Sequence, residues 1–201
     1  MIRVGLTGGI ATGKSAVAAA LRSRGIPVLD ADQVAREIVS PGSPGLASIV
    51  SHFGPSVLAS DQTLDRAALR AIVLSDPVAR AALEAITHPL IQASIRDWLE
   101  GCEATGHTAA VVEAALLIET GSHQSYDLLV VVSCDADTQQ RRLMARNNID
   151  SDEAARWVAT QMPVDEKVEK ADIHINNDGP IDALAAQLDE LMRHLRRPHL
   201  Q

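Results

Sequence analysis

Apolar positions follow two different periods along this chain. Near-continuous apolar runs of strand length occur at Ile2-Arg3-Val4-Gly5-Leu6, at Ile26-Pro27-Val28-Leu29-Asp30-Ala31-Asp32, at 108–115 and at 127–134, with a weaker run at 171–177. Strands apolar on successive residues are buried on both faces, which predicts a parallel sheet between layers of helices. Pro27 suits the start of its strand, not the middle. Between the runs the spacing turns helical, over Ala16–Leu21 and again from about Ile181 to Arg196. After the punctuating Pro41-Gly42-Ser43-Pro44-Gly45, and up to about Gly106, strand signals vanish. Leu69, Ile72, Val73, Leu83, Ile86, Ile91, Ile95 and Trp98 recur there at helical spacing. The pattern predicts an α/β fold whose core comprises 1–40 and 107–201, interrupted by a helical insertion over 41–106.

Composition narrows the function classes. Aromatic residues make up only 2% of the 201, so the core is built from Ala, Val, Leu and Ile. A net charge of -8 argues against a nucleic-acid partner, because polyanion binding depends on clustered Lys and Arg. A small anionic substrate needs only a local basic site. No run of 18 apolar residues predicts a membrane span, and the N-terminus is taken up by strand and loop, not by a signal peptide. Cys102 and Cys134 lack metal or redox spacing and read as reduced thiols, so a cytoplasmic location is expected.

The strongest chemical signal follows the first strand. Gly8-Gly9-Ile10-Ala11-Thr12-Gly13-Lys14-Ser15 has the form G-x-x-x-x-G-K-S between a strand and a helix, the pattern of a phosphate-binding loop. The expected nucleotide contacts are Gly8, Gly9, Ala11, Thr12, Gly13, Lys14, Ser15 and Ala16. Lys14 reaches the β and γ phosphates, and the Ser15 hydroxyl ligates Mg²⁺. ATP and Mg²⁺ are therefore expected.

Asp-Ala-Asp occurs twice, at Asp30–Asp32 and at Asp135–Asp137. The second copy precedes the helical run Thr138–Leu143 and reads as a helix N-cap. The first ends a strand expected beside the phosphate-loop strand, at the carboxyl edge where ligands bind in such sheets. Asp32 is the candidate catalytic carboxylate. Glu113 ends another strand at that edge, either holding a Mg²⁺-bound water or substrate hydroxyl or pairing with a nearby Arg. Arg146 closes the helix Gln140–Arg146 and is the candidate cation over the transferring phosphate. Arg141 and Arg142 read as a solvated basic face. With the helix at Asp152–Gln161, the segment 138–165 has the character of a mobile lid that excludes water.

In order along the chain, Val4–Ile10 through Lys14-Ser15, Asp30-Ala31-Asp32 with Ala35-Arg36, Phe53-Gly54, Leu64-Asp65-Arg66, Leu83–Pro89, Leu116–Glu119, Gln140-x-x-Leu143-x-x-Arg146, Gln161, Lys167, Ala171-Asp172 and Asn176-Asn177-x-Gly179 resemble the signatures of the dephospho-CoA kinase family. The resemblance runs nearly end to end. It departs at Ala115, where the family usually has Pro, and at Glu113, which replaces the Asp of many relatives.

The resemblance implies a P-loop kinase fold and transfer of the ATP γ-phosphate to the ribose 3′-hydroxyl of dephospho-CoA, giving CoA and ADP. Asp32 would accept the hydrogen bond of that hydroxyl or orient Mg²⁺ waters. Arg66, His88 and the insertion would bind dephospho-CoA, and Asn177 and Gly179 would lie near adenine. Read on its own, His88 also suits packing before Pro89. Another small-molecule kinase with the same loop and lid, or a nucleotide-dependent switch, are the other readings; acceptor-dependent ADP release separates them.

Overall fold

In the computed structural model, residues 1–179 and 181–196 are described, with the side chains of 181 and 182 outside that description. The elements run β1 (Ile2–Gly8), α1 (Lys14–Ser23), β2 (Val28–Asp30), α2 (Ala31–Glu37), α3 (Pro44–Phe53), α4 (Arg66–Ser75), α5 (Pro77–Ala104), β3 (Ala109–Glu113), β4 (Leu128–Ser133), α6 (Ala136–Asn147), α7 (Ser151–Ala159), α8 (Val164–Val168), β5 (Ile173–Asn176) and α9 (Ile181–Leu195). Among them no helix is long and apolar enough to cross a membrane.

The five strands form one parallel sheet in the order β2-β3-β1-β4-β5. This corrects the expected neighbour of β1: β3, not the strand ending at Asp30, lies beside it. Burial explains the exchange. All five residues of β3 are buried, which requires a partner on each side, whereas β2 is three half-buried residues and sits at the edge. Pro27, with no N–H to donate, precedes β2, and its carbonyl accepts from Val111. Asp32 is likewise not on the strand but in the first turn of α2.

Register places the chemistry. Gly8 pairs with Val132, Leu6 and Asp30 with Glu113, and Ser133 with Asn176, so the strands deliver the phosphate loop, Glu113 and Asn176 to one carboxyl edge. One sheet face packs Val130 and Val132 with Val17, Leu21, Leu188 and Leu191 of α1 and α9. The opposite face packs Leu129 and Val131 with Ile118, Met162 and Val168. Alternate residues of β4 thus serve two helix layers, as its continuous apolar pattern requires.

The chain divides into two units, Met1–Asp30 with Gly101–Gln201, and Ala31–Glu100. The division falls earlier at both ends than the expected insertion 41–106. Ile38 and Val39, just past α2, pack with Ile49, Val57 and Leu69, which assigns α2 to the helical unit. Leu69, Ile72, Val73, Leu83 and Ile86 share that core, as their spacing predicts. Asp65 caps α4 by accepting from Ala67 and Ala68 at 3.0 and 2.9 Å. Pro89 lies inside the 28-residue α5.

Candidate active site

The phosphate loop begins where β1 ends. Gly13 caps α1 at a φ of 99°, a left-handed conformation open to glycine, and a Cβ there would run into Asn177 Nδ2. Asn177 uses that closeness, donating to the Thr12 carbonyl at 2.8 Å. Lys14 Nζ lies over the loop and donates to the carbonyls of Gly8 and Gly9, each at 3.1 Å. A phosphate bound at the N-terminus of α1 would meet this ammonium together with the positive end of the helix dipole. Gly9 packs against Gln139; Thr12 is buried, and its hydroxyl donates to the Gly9 carbonyl at 2.9 Å. Ala11 adopts a φ of 58° and Ala16 continues the exposed side of α1.

Ser15 Oγ donates to Glu113 Oε1 at 3.2 Å. Glu113 is buried, and its burial pushes the carboxyl above its ordinary value, partly offset by that hydrogen bond. Two oxygen donors of this kind suit a hard cation such as Mg²⁺, with phosphate and water supplying the rest of its shell. Among the described residues no group of three His, Cys, Asp or Glu forms a protein cage for a metal.

Arg142 differs from its expected role. Its Nη2 donates to the Asn177 carbonyl at 2.9 Å, and Nη1 is buried with no hydrogen-bond partner. The side chain is turned to the phosphate loop rather than to solvent, because Arg142 lies one turn beyond the buried Thr138 and Gln139 on the same face of α6. Arg141 is exposed as expected and donates to Thr138. Arg146 is exposed in the last turn of α6, with Nε donating to Asn147 at 2.9 Å. Asp135 is the N-cap of α6, accepting from Thr138 N–H at 2.6 Å and Thr138 Oγ1 at 2.8 Å; these bonds hold its carboxyl below the ordinary value. Asp137 stands inside the first turn and caps nothing.

Beside the site, Lys167 is completely buried. It pairs with Glu119 at 2.7 Å and donates to the Ala115 carbonyl at 3.1 Å. The same carbonyl accepts from Thr7 Oγ1 at 3.2 Å. The strand exit is therefore held through a backbone oxygen that Ala and Pro both possess. The sequence marked Lys167 without a role; a buried lysine carries no signal of its own.

In the helical unit, Arg66 opens α4, His88 lies within α5, and Asp32 lies in α2; all three are exposed. Gly179 is exposed two residues past Asn177.

The family model for dephospho-CoA kinase matches residues 2–183. A curated dephospho-CoA kinase from Anaeromyxobacter dehalogenans is 48% identical over 96% of this chain and 92% of that protein. The solved structure of TT1252 from Thermus thermophilus superposes with a TM-score of 0.83 at 32% identity, covering 98% of each chain. That of a dephospho-CoA kinase from Campylobacter jejuni gives 0.71 at 26% identity, covering 96% of each.

Proposed function

The chain belongs to the dephospho-CoA kinase family, and from that premise we propose how its residues divide the transfer of the ATP γ-phosphate to the ribose 3′-hydroxyl of dephospho-CoA, the last step in making coenzyme A. The observation that carries the division is the meeting of Lys14, the Ser15–Glu113 pair, Asn177 and the buried face of Arg142 at one sheet edge.

The backbone of Gly8–Ala16 cradles the ATP phosphates at the start of α1. Lys14 leaves the loop carbonyls for the phosphate oxygens, matching the charge that spreads over them in a loose transition state. Ser15 and a water held by Glu113 are the residues that would hold Mg²⁺, which when bound neutralises phosphate charge. Asn177, Gly179 and Arg142 take the adenosine side of the nucleotide, where the orphaned Nη1 gains an acceptor. Arg146 reaches the γ-phosphate when 138–165 closes as a lid.

Arg66 and His88 hold dephospho-CoA. Asp32 accepts the hydrogen bond of its 3′-hydroxyl. As that oxygen bonds to the γ-phosphorus and the bond to the bridging oxygen breaks toward ADP, Asp32 takes the proton. The buried thiols of Cys102 and Cys134 fit a reducing cytoplasm.

Coupled measurement of ADP release over a panel of hydroxyl acceptors, with and without Mg²⁺, tests the reading. Release that requires both dephospho-CoA and Mg²⁺ supports it. Release at the same rate without an acceptor overturns it.

A further inference from the structure

Two glutamines outside the chemistry above grip the phosphate loop at one residue. The Ile10 N–H donates to Gln161 Oε1 at 2.7 Å, and the Ile10 carbonyl accepts from Gln139 Nε2 at 2.7 Å. A backbone N–H only donates and a carbonyl only accepts, so the orientation of both side-chain amides is dictated by Ile10. Gln139 is a buried residue of α6, and Gln161 follows α7 by two residues. These helices are the two arms of the segment 138–165, so each arm is rooted on the same loop residue.

The loop is shaped around this grip. A Cβ at Gly9 would stand 2.7 Å from Gln139 Nε2, so a larger residue would displace the glutamine. Ala11, next in line, holds a φ of 58°, which a non-glycine residue adopts only when its surroundings impose it. That torsion turns on the position of the Ile10 carbonyl carbon, the group that Gln139 anchors. On the other side, Gln161 anchors the peptide joining Gly9 to Ile10.

We propose that Gln139 and Gln161 are positioning residues: through Ile10 they hold the phosphate loop in its nucleotide-receiving form and tie the roots of both lid arms to it. This rests on reading 8–16 as the nucleotide loop. Neither side chain need touch the nucleotide, since both act through the backbone. Ordering of the loop by phosphate therefore steadies both arms, and loss of either amide loosens the loop.

The test uses the full chain and ADP titrated calorimetrically into Gln139→Met, Gln161→Met, Gln139→Glu and Gln161→Glu, alongside the melting temperature and KM for each substrate. Each Met variant is expected to bind ADP about tenfold more weakly, the effect of one lost hydrogen bond to the loop. KM for dephospho-CoA should stay within about twofold, because the loop serves the other substrate. The Glu pair adds the same charge on either side of one residue. In Gln161→Glu the carboxylate still accepts the Ile10 N–H, whereas in Gln139→Glu two acceptors face each other. Gln139→Glu should therefore bind ADP about tenfold more weakly than Gln161→Glu, a difference that volume or charge alone would not produce. Equal affinities for the Glu pair overturn the proposal, as does ADP binding within twofold of the parent in both Met variants. If a Met variant does not fold, the Glu pair decides. A parent chain that fails to bind ADP overturns the loop reading itself, and the proposal with it.

Discussion

Ser15 Oγ and Glu113 Oε1 meet at 3.2 Å across 98 residues of chain. The first residue after the phosphate-loop lysine is thereby joined to the last residue of β3, the strand between β2 and β1. In the proposed reading, the Ser15 hydroxyl and the water held by Glu113 are two of the six oxygens that Mg²⁺ would take.

Burial of Glu113 raises its carboxyl above the ordinary 4.5, so the ionised form costs the folded state. The associated stability is present below pH 4.5 and is lost as pH rises through the raised folded value. Glu113→Gln, measured without metal or nucleotide, should therefore raise the melting temperature at pH 7 and leave it unchanged at pH 4. Turnover should fall by roughly 10 to 100-fold, as for removal of a group that orients metal-bound water. A melting gain equal at both pH values would contradict the burial argument.

Lys14→Ala should lower turnover by on the order of a thousandfold through loss of charge stabilisation. Stability should change by less than about 1 kcal/mol, since the lysine is only half-buried. Steady-state kinetics and thermal melts on one preparation check both halves.

The two Asp-Ala-Asp segments should respond differently. Asp32→Asn removes the proposed base, and turnover should fall by roughly 10² to 10⁴. Asp137→Asn should be near native in rate, because that residue is exposed and is not the cap. Asp135→Ala deletes the cap of α6 and should cost about 1 kcal/mol in denaturant unfolding. Comparable kinetics for Asp32→Asn and Asp137→Asn would remove Asp32 from the chemistry.

Arg142 and Arg146 separate binding from turnover. Arg142→Lys keeps the charge but not the fork, so ATP affinity should weaken by roughly 10-fold or more. Arg146→Lys should lower turnover while KM for dephospho-CoA changes only a few fold. Arg141→Lys, on the exposed side of α6, is the control. Near-native kinetics in Arg142→Lys would mean that its orphaned nitrogen has no ligand to meet.

Lys167→Met should destabilise the fold by about 3 kcal/mol, the lower end for a broken buried pair because the Glu119 side chain keeps 22% exposure. Adding Glu119→Gln should recover part of that loss, since the stranded charge is then gone. Denaturant midpoints of the single and double variants give the answer. A double variant as unstable as the sum of the singles would argue against coupling.

The phosphate loop was legible in the sequence because its chemistry is contained in eight consecutive residues between a strand and a helix. The helical unit was legible for a similar reason: Leu69, Ile72, Val73, Leu83 and Ile86 repeat at the helix period and share one core. The parallel sheet followed from strands apolar on both faces. Its strand order did not, because parallel strands are joined through long crossovers and a strand's composition says how buried it is, not which neighbour it has.

What Arg142, Gln139, Gln161 and Lys167 bond to lay beyond sequence reasoning for one physical reason, although Gln161 and Lys167 stood among the family signatures. Their partners are 35, 129, 151 and 52 residues away, and a polar side chain reads as solvated until tertiary packing turns it toward a backbone group that needs it. The chain's own order thus determined the family, the reaction and the place of the phosphate-loop motif between β1 and α1. Only the tertiary structure decided which polar residues bond to that loop, because a buried amide or guanidinium acquires its partner from the donor or acceptor that the fold brings to it.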